Sequence, residues 1–178
     1  MIKVVCYVSI NRVLLNMPKT LTTLINVWAV LLLLCFLSLI VKVQAQALSE
    51  IKLQQTLEQH QGKVVYLDFW ASWCGPCRKS FPWMNEMQQK YREQGFVIIS
   101  INLDADIALA KGFLLENSAN FSVIFDPKGA IAQNFNIKGM PSSLLIDRQG
   151  QIQQAHSGFF TNKVTLYEAQ LSALLAIK

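Results

Sequence analysis

Two cysteines separated by two residues, Cys74 and Cys77 in Trp73-Cys74-Gly75-Pro76-Cys77, are the side chains of this 178-residue chain best suited to do chemistry. On a helix, positions i and i+3 share a face, which brings two sulfurs within bridging distance. A strand-like run ends just before them and a helical pattern starts at about Gly75. Cys74 therefore falls where unpaired backbone N–H groups and the helix dipole favour an anion. The thiolate is the attacking form of cysteine, so this placement activates Cys74. Pro76 is tolerated in the first turn, where its missing N–H has no partner to lose. The chemistry expected is reversible disulfide exchange: Cys74 attacks a partner's disulfide, then Cys77 attacks Cys74 and releases the reduced partner.

Three other readings compete for the pair. A structural disulfide needs no Gly-Pro between its cysteines. Half of a zinc site needs two more ligands, yet the remaining cysteines, Cys6 and Cys35, lie in a separate leader, and His60 and His156 are isolated. Two inert buried thiols leave the surrounding motif unexplained. No resident metal or cofactor is expected.

The elements that must position the pair follow from hydrophobic period and turn residues. Residues 63–71 are β-branched and aromatic on both alternating faces, the pattern of a central strand covered on both sides. A helix over 75–94 is stopped at Gly95, and 96–103 reads as a second buried strand. Asp104 or Asp106 caps a helix running to about Asn117. A strand over 122–125, a turn over 126–129 and a short helical turn come next. A hairpin follows over 142–157, with its turn at 147–150. Val164, Tyr167, Leu171 and Leu174 place one apolar stripe on a final helix, and a small amphipathic helix over 50–60 precedes the first strand. Strands alternating with helices imply an α/β fold.

Charge and hydropathy divide the chain at about residue 47. Residues 21–41 hold 17 apolar residues and no charged one. The formal net charge of +5 comes mostly from Lys3, Arg12, Lys19 and Lys42 around that run, because residues 48–178 carry 12 Lys+Arg against 11 Asp+Glu. The pI near 9.1 thus reflects targeting and excludes a basic nucleic-acid groove. A basic start, an apolar run and the small-x-small pattern Ala45-Gln46-Ala47 read as an export signal. A run long enough to span a bilayer leaves a retained anchor, with its amino end in the cytoplasm, as the alternative to cleavage. Met17 offers an alternative start. The expected division is a leader over 1–47 and a folded domain over 48–178.

The decapeptide Asp68-Phe69-Trp70-Ala71-Ser72-Trp73-Cys74-Gly75-Pro76-Cys77 resembles the active site of thioredoxin. The exported domain as a whole resembles the TlpA/ResA-like periplasmic thiol–disulfide oxidoreductases, over roughly residues 60–178. That resemblance implies a thioredoxin-like fold, a central mixed β-sheet flanked by helices. It implies a redox-active Cys74–Cys77 disulfide, with Cys74 the nucleophile and Cys77 the resolving thiol. Asp68 matches the buried carboxylate that accepts the Cys77 proton, its pKa raised by desolvation. Met140-Pro141 matches the loop whose proline is cis, which lays the Met140 backbone beside Cys74. Trp73, Gly75, Pro76, Met140 and Pro141 are the positions expected to meet substrate. Trp70 is expected in the core, and Pro82 matches the proline inside the active-site helix. Three departures stand out: Ser100 replaces a lysine, no extra hairpin is evident before Lys63, and a frequent glutamate has no counterpart. Arg78 and Lys79 read as exposed charges at the helix start.

The function these features imply is an exported, periplasmic reductase of protein disulfides, associated through the family with cytochrome c maturation. Disulfide-bearing proteins are its expected partners, and a DsbD-like membrane electron donor is implied because a reductant in an oxidising compartment must be recharged. A dithiol oxidase or isomerase of the same fold is the alternative within the enzymes. A non-catalytic copper or haem carrier is the alternative outside them, with His156 its candidate distal ligand.

Overall fold

The computed structural model describes the backbone of residues 19–177 and the side chains of residues 26–38 and 48–177. Helix α1 (Lys19–Gln59) opens the described chain. The small helix expected over 50–60 is its last part and not a separate element. No glycine or proline occurs between Lys19 and Gln59, so nothing in the local sequence interrupts helical geometry until Gly62, whose φ is +80°. Val27, Trp28, Leu32 and Phe36 on α1 are exposed. Among the described residues no helix is long and apolar enough to cross a membrane. The expected span over 21–41 includes positions whose side chains lie outside the described residues, as do Lys3, Arg12 and Met17.

Residues 46–178 form one compact unit. Its elements are β1 (Val64–Trp70), α2 (Gly75–Tyr91), β2 (Phe96–Asn102), α3 (Ile107–Glu116), β3 (Ser122–Phe125), α4 (Ala130–Asn134), β4 (Ser142–Ile146), β5 (Ile152–Ser157) and α5 (Val164–Ala176). A 3₁₀ turn (Arg92–Gln94) extends α2 to Gly95, which adopts φ +82° as the helix stop requires. Asp106, not Asp104, caps α3 by accepting from Ala108 N at 2.9 Å. Among the described residues no strand precedes Val64.

The strands form one mixed sheet in the order β3-β2-β1-β4-β5. The β1–β2 and β2–β3 pairs are parallel, whereas β4 and β5 run antiparallel to their neighbours. This is the thioredoxin-like α/β arrangement. Every residue of β1 and β2 is buried, because both faces are covered. Val64, Tyr66 and Trp70 point to the face packed by Phe81, Met84 and Met87 of α2. Val65, Leu67 and Phe69 point to the other, packed by Leu53 of α1 and Ile131 of α4. Fully burying a side chain of this size contributes about 1.5–3 kcal/mol. Gln88 of α2 accepts from Ile98 N at 2.7 Å, pairing a β2 donor at a position where β3 has not yet begun.

Candidate active site

The sequence from β1 into α2 delivers the two sulfurs to one corner of the sheet. Cys74 is the N-cap of α2: its backbone is extended, and its Sγ accepts from Cys77 N at 3.3 Å. Cys74 and Cys77 are joined as a disulfide with their Cα atoms 5.2 Å apart. The two sulfurs are not equivalent. Cys74 keeps 5% of its surface exposed, while Cys77 keeps none. Trp73 is 69% exposed beside them, and Gly75 and Pro76 are exposed as well. Trp70, one turn of chain earlier, is fully buried among Phe81 and Phe113.

The Met140–Pro141 peptide bond is cis, as the resemblance implies. Met140 packs against the apolar cluster that holds both cysteines. The loop is tied on its far side, where Gly158 N donates to Pro141 O at 2.7 Å and Ser142 Oγ donates to Gly139 O at 2.7 Å. Cys74, Cys77 and Met140, far apart in sequence, thus border one apolar cluster.

Asp68 lies in the middle of β1, between Tyr66 and Trp70 on the face that carries α2. It is 2% exposed, and its Oδ2 has no hydrogen-bond partner. Burial without compensating donors disfavours the carboxylate and raises the pKa from 3.8 to about 7. A buried acid that gains and loses a proton near neutral pH is suited to general acid–base work. Ser100, on β2 opposite Asp68, stands where the resemblance leads one to expect a lysine. It supplies no charge there, and it accepts from Trp70 Nε1 and donates to Ser122 O, both at 3.3 Å.

A second buried acid holds the loop ahead of the dithiol and was not foreseen in that role. Asp104 accepts from Ser72 N and Ser72 Oγ, each at 2.9 Å, and from Asn102 Nδ2 at 2.7 Å. These bonds fix Ser72 two residues before Cys74. Asp104 follows the end of β2 just as Ser72 follows the end of β1. Adjacent parallel strands ending together are the only hint the sequence offers of this contact. Arg78 is also more engaged than a solvated charge: its guanidinium lies over Phe113, 5.0 Å from the ring centroid, and donates to Ser72 O.

The redoxin family model matches residues 42–171, which contain every residue just described. The chain belongs to the redoxin family. Among curated relatives of this redoxin, the thiol-disulfide oxidoreductase ResA of Bacillus thuringiensis subsp. konkukian is 37% identical over 102 residues, which cover 57% of this chain and 59% of that one. ResA of Bacillus subtilis is 28% identical over 108 residues, covering 61% and 60%. The redoxin therefore spans about three-fifths of the length of these relatives. Among solved structures, a candidate thiol:disulfide interchange protein DsbE from Chlorobium tepidum is 51% identical, with a TM-score of 0.66 over 67% of this chain and 85% of that one. A candidate protein disulfide isomerase from Bacteroides thetaiotaomicron is 28% identical, with a TM-score of 0.60 over 67% and 77%.

Among the described residues no group of three or more His, Cys, Asp or Glu side chains gathers to hold a metal ion. Both ring nitrogens of His156, the ligand a carrier would need, face other partners: Ser143 Oγ at 3.4 Å and Gln170 Oε1 at 2.9 Å.

Proposed function

We propose that this redoxin is an exported thiol–disulfide oxidoreductase that reduces protein disulfides through Cys74 and Cys77. The observation that carries the reading is the inequality of the two sulfurs. Cys74, the N-cap of α2, keeps a sliver of exposed surface while Cys77 keeps none, and the buried Asp68 lies on the sheet face that α2 covers. In the reduced protein, the Cys74 thiolate attacks a substrate disulfide, forming a mixed disulfide and expelling one substrate thiolate. Cys77 then attacks Cys74 Sγ, gives its proton to Asp68, and releases the second substrate thiolate. The protein is left with the Cys74–Cys77 disulfide, and a donor must return two electrons.

Trp73, Gly75, Pro76, Met140 and Pro141 form the rim that a substrate segment lies against in this scheme. The Met140 backbone offers an extended chain a strand-like edge. Residues 1–47 act as the targeting segment, cleaved or retained as a membrane anchor through 21–41, and 48–178 as the working domain. The donor is a DsbD-like membrane protein, and the family association makes apocytochrome c the first substrate to try.

The Gly-Pro dipeptide supports a reductant. The likeness to a candidate disulfide isomerase supports the isomerase alternative. The reduction potential separates them, since reducing thioredoxins lie near about −270 mV and the strong periplasmic oxidant DsbA near about −120 mV. In the host, a Cys77→Ala variant should hold its substrates as mixed disulfides on Cys74. Recovery of no disulfide-linked partner, together with no reduction of insulin by the wild-type chain, refutes the reading.

A further inference from the structure

Lysines gather about the dithiol without acids to match them. Lys79 is exposed on α2, four positions after Gly75 and so one helical turn along the same face. Lys138 is exposed two residues before Met140, whose side chain packs on the cluster that contains both cysteines. Lys163 holds its Nζ 5.0 Å from the centroid of the Phe160 ring. That ring lies over Gly158, where an added Cβ would stand 3.0 Å from Phe160 Cε2. Gly158 N in turn donates to Pro141 O at 2.7 Å, so the lysine–phenylalanine pair borders the cis-proline loop. Among the described residues none of these three lysines forms an ion pair.

The acids around them are engaged or further off. Asp106 accepts from Ala108 N at 2.9 Å, Glu116 stands 3.9 Å from Arg78, and Glu86 comes two turns after Lys79 along α2. At the other end of α2 the bases are matched: Lys90 Nζ lies 2.6 Å from Glu168, and Arg92 Nε lies 3.1 Å from Glu93. Residues 48–178 carry nearly balanced charge, so the surplus beside the sulfurs is one of placement and not of composition. Two apolar side chains stand among the lysines, Trp73 with 69% of its surface exposed and Phe160 with 49%. A thiolate approaching a disulfide flanked by carboxylates meets like charge, and cations beside the attacking sulfur offset that repulsion.

We propose that Lys79, Lys138 and Lys163, with Trp73 and Phe160 between them, form a docking surface for protein segments whose disulfide is flanked by acidic and apolar side chains. The inference rests on the dithiol reading above and names the substrate class that reading would serve. The reaction on such a segment balances within the two proteins. The Cys74–Cys77 bond forms, the segment's S–S bond breaks, and two electrons pass from the dithiol to the segment. The two protons of the dithiol end on the segment's two thiols. The lysines take no part in this exchange; they raise the occupancy of the encounter that precedes it.

The test uses three cyclic peptides of one length, each closed by a single disulfide flanked by glutamates, serines or lysines. The reduced full-length chain, in a nonionic detergent, reduces each at about 10 mM and about 1 M salt, where screening lengths are about 30 Å and about 3 Å. A Cys74→Ser chain is the blank, and each rate is divided by that of dithiothreitol on the same peptide. Dithiothreitol also attacks as a thiolate, so the quotient isolates what surrounds the sulfur. At low salt the glutamate peptide should be reduced about tenfold faster than the lysine peptide, at the low end of what steering by charge supplies. The preference should shrink toward unity at high salt. Lys138→Glu combined with Lys163→Glu should invert it, while Lys63→Glu, at the entry to β1, should leave it in place. Equal quotients for the three peptides, a preference that survives high salt, or an equal change in Lys63→Glu overturns the docking surface. A wild-type chain that reduces none of the peptides faster than the Cys74→Ser blank overturns the dithiol reading itself.

Discussion

The two ends of the central sheet treat their polar groups in opposite ways. Where β1 and β2 begin, Arg148 donates to four backbone carbonyls, those of Gly62, Gln94, Leu175 and Ile177. One guanidinium thus ties the entries to both central strands to the end of the last helix. Past the middle of β1, toward the end that leads to the dithiol, Asp68 is buried with an oxygen that nothing pairs. Even within that end, Asp104 is equally buried but receives three hydrogen bonds. Burial alone therefore does not tell these two aspartates apart; the unpaired oxygen of Asp68 does. Among the described residues two buried side-chain atoms go unpaired, Asp68 Oδ2 and Trp83 Nε1, and of the two only the carboxylate can take up and give back a proton near neutral pH.

That contrast predicts separable losses. Cys74→Ser should reduce insulin reduction to background while the melting temperature stays close to that of the reduced wild type, since the sulfur caps a helix that serine also caps. Asp68→Asn should slow resolution yet stabilise the fold at alkaline pH. The folded pKa of Asp68, about 7, lies above its unfolded value of 3.8, so the native state holds this proton more tightly. The stability linked to it is complete below 3.8 and is lost as pH rises through about 7. Denaturant titrations should therefore show Asp68→Asn gaining on the wild type by at most about 4 kcal/mol between acid and pH 8, with the curves parallel above and below.

At the opposite end the signs reverse. Arg148→Met should cost about 2–3 kcal/mol in chemical unfolding, since several partly exposed carbonyls lose a charged donor, while the reduction potential stays unchanged. Gly95→Ala should follow with about 1–2 kcal/mol, because φ +82° disfavours a side chain and the new Cβ would stand 2.8 Å from Arg148 Nη1. A potential or turnover number that moves with either substitution breaks the division between the two ends.

Much of the scaffold was legible because it is written locally. The doubly covered strands β1 and β2 show in their unbroken apolar runs. The stop at Gly95 and the cap at Asp106 are single-residue signals, and the dithiol declares itself by spacing. The site's carboxylate became recognisable only through resemblance, since Asp68 within an apolar run carries no mark of its own role. What stayed hidden depends on pairing across the sheet. Asp104 looked like a helix cap because its partner, Ser72, is 32 positions away on another strand end. Arg148 looked like an ordinary turn residue because its four acceptors lie on three separate stretches of chain. His156 looked solitary until the β4–β5 register set it beside Ser143. The helix over 50–60 was misjudged for a different reason: no breaker separates it from the preceding apolar run, so helical geometry continues through both.

The sealing of Cys77 has a practical corollary. In a chain whose Cys6 and Cys35 are replaced by serine, an alkylating reagent offered to the reduced protein should find Cys74 alone, so each folded molecule gains a single tag and intact mass counts the correctly built sites in a preparation.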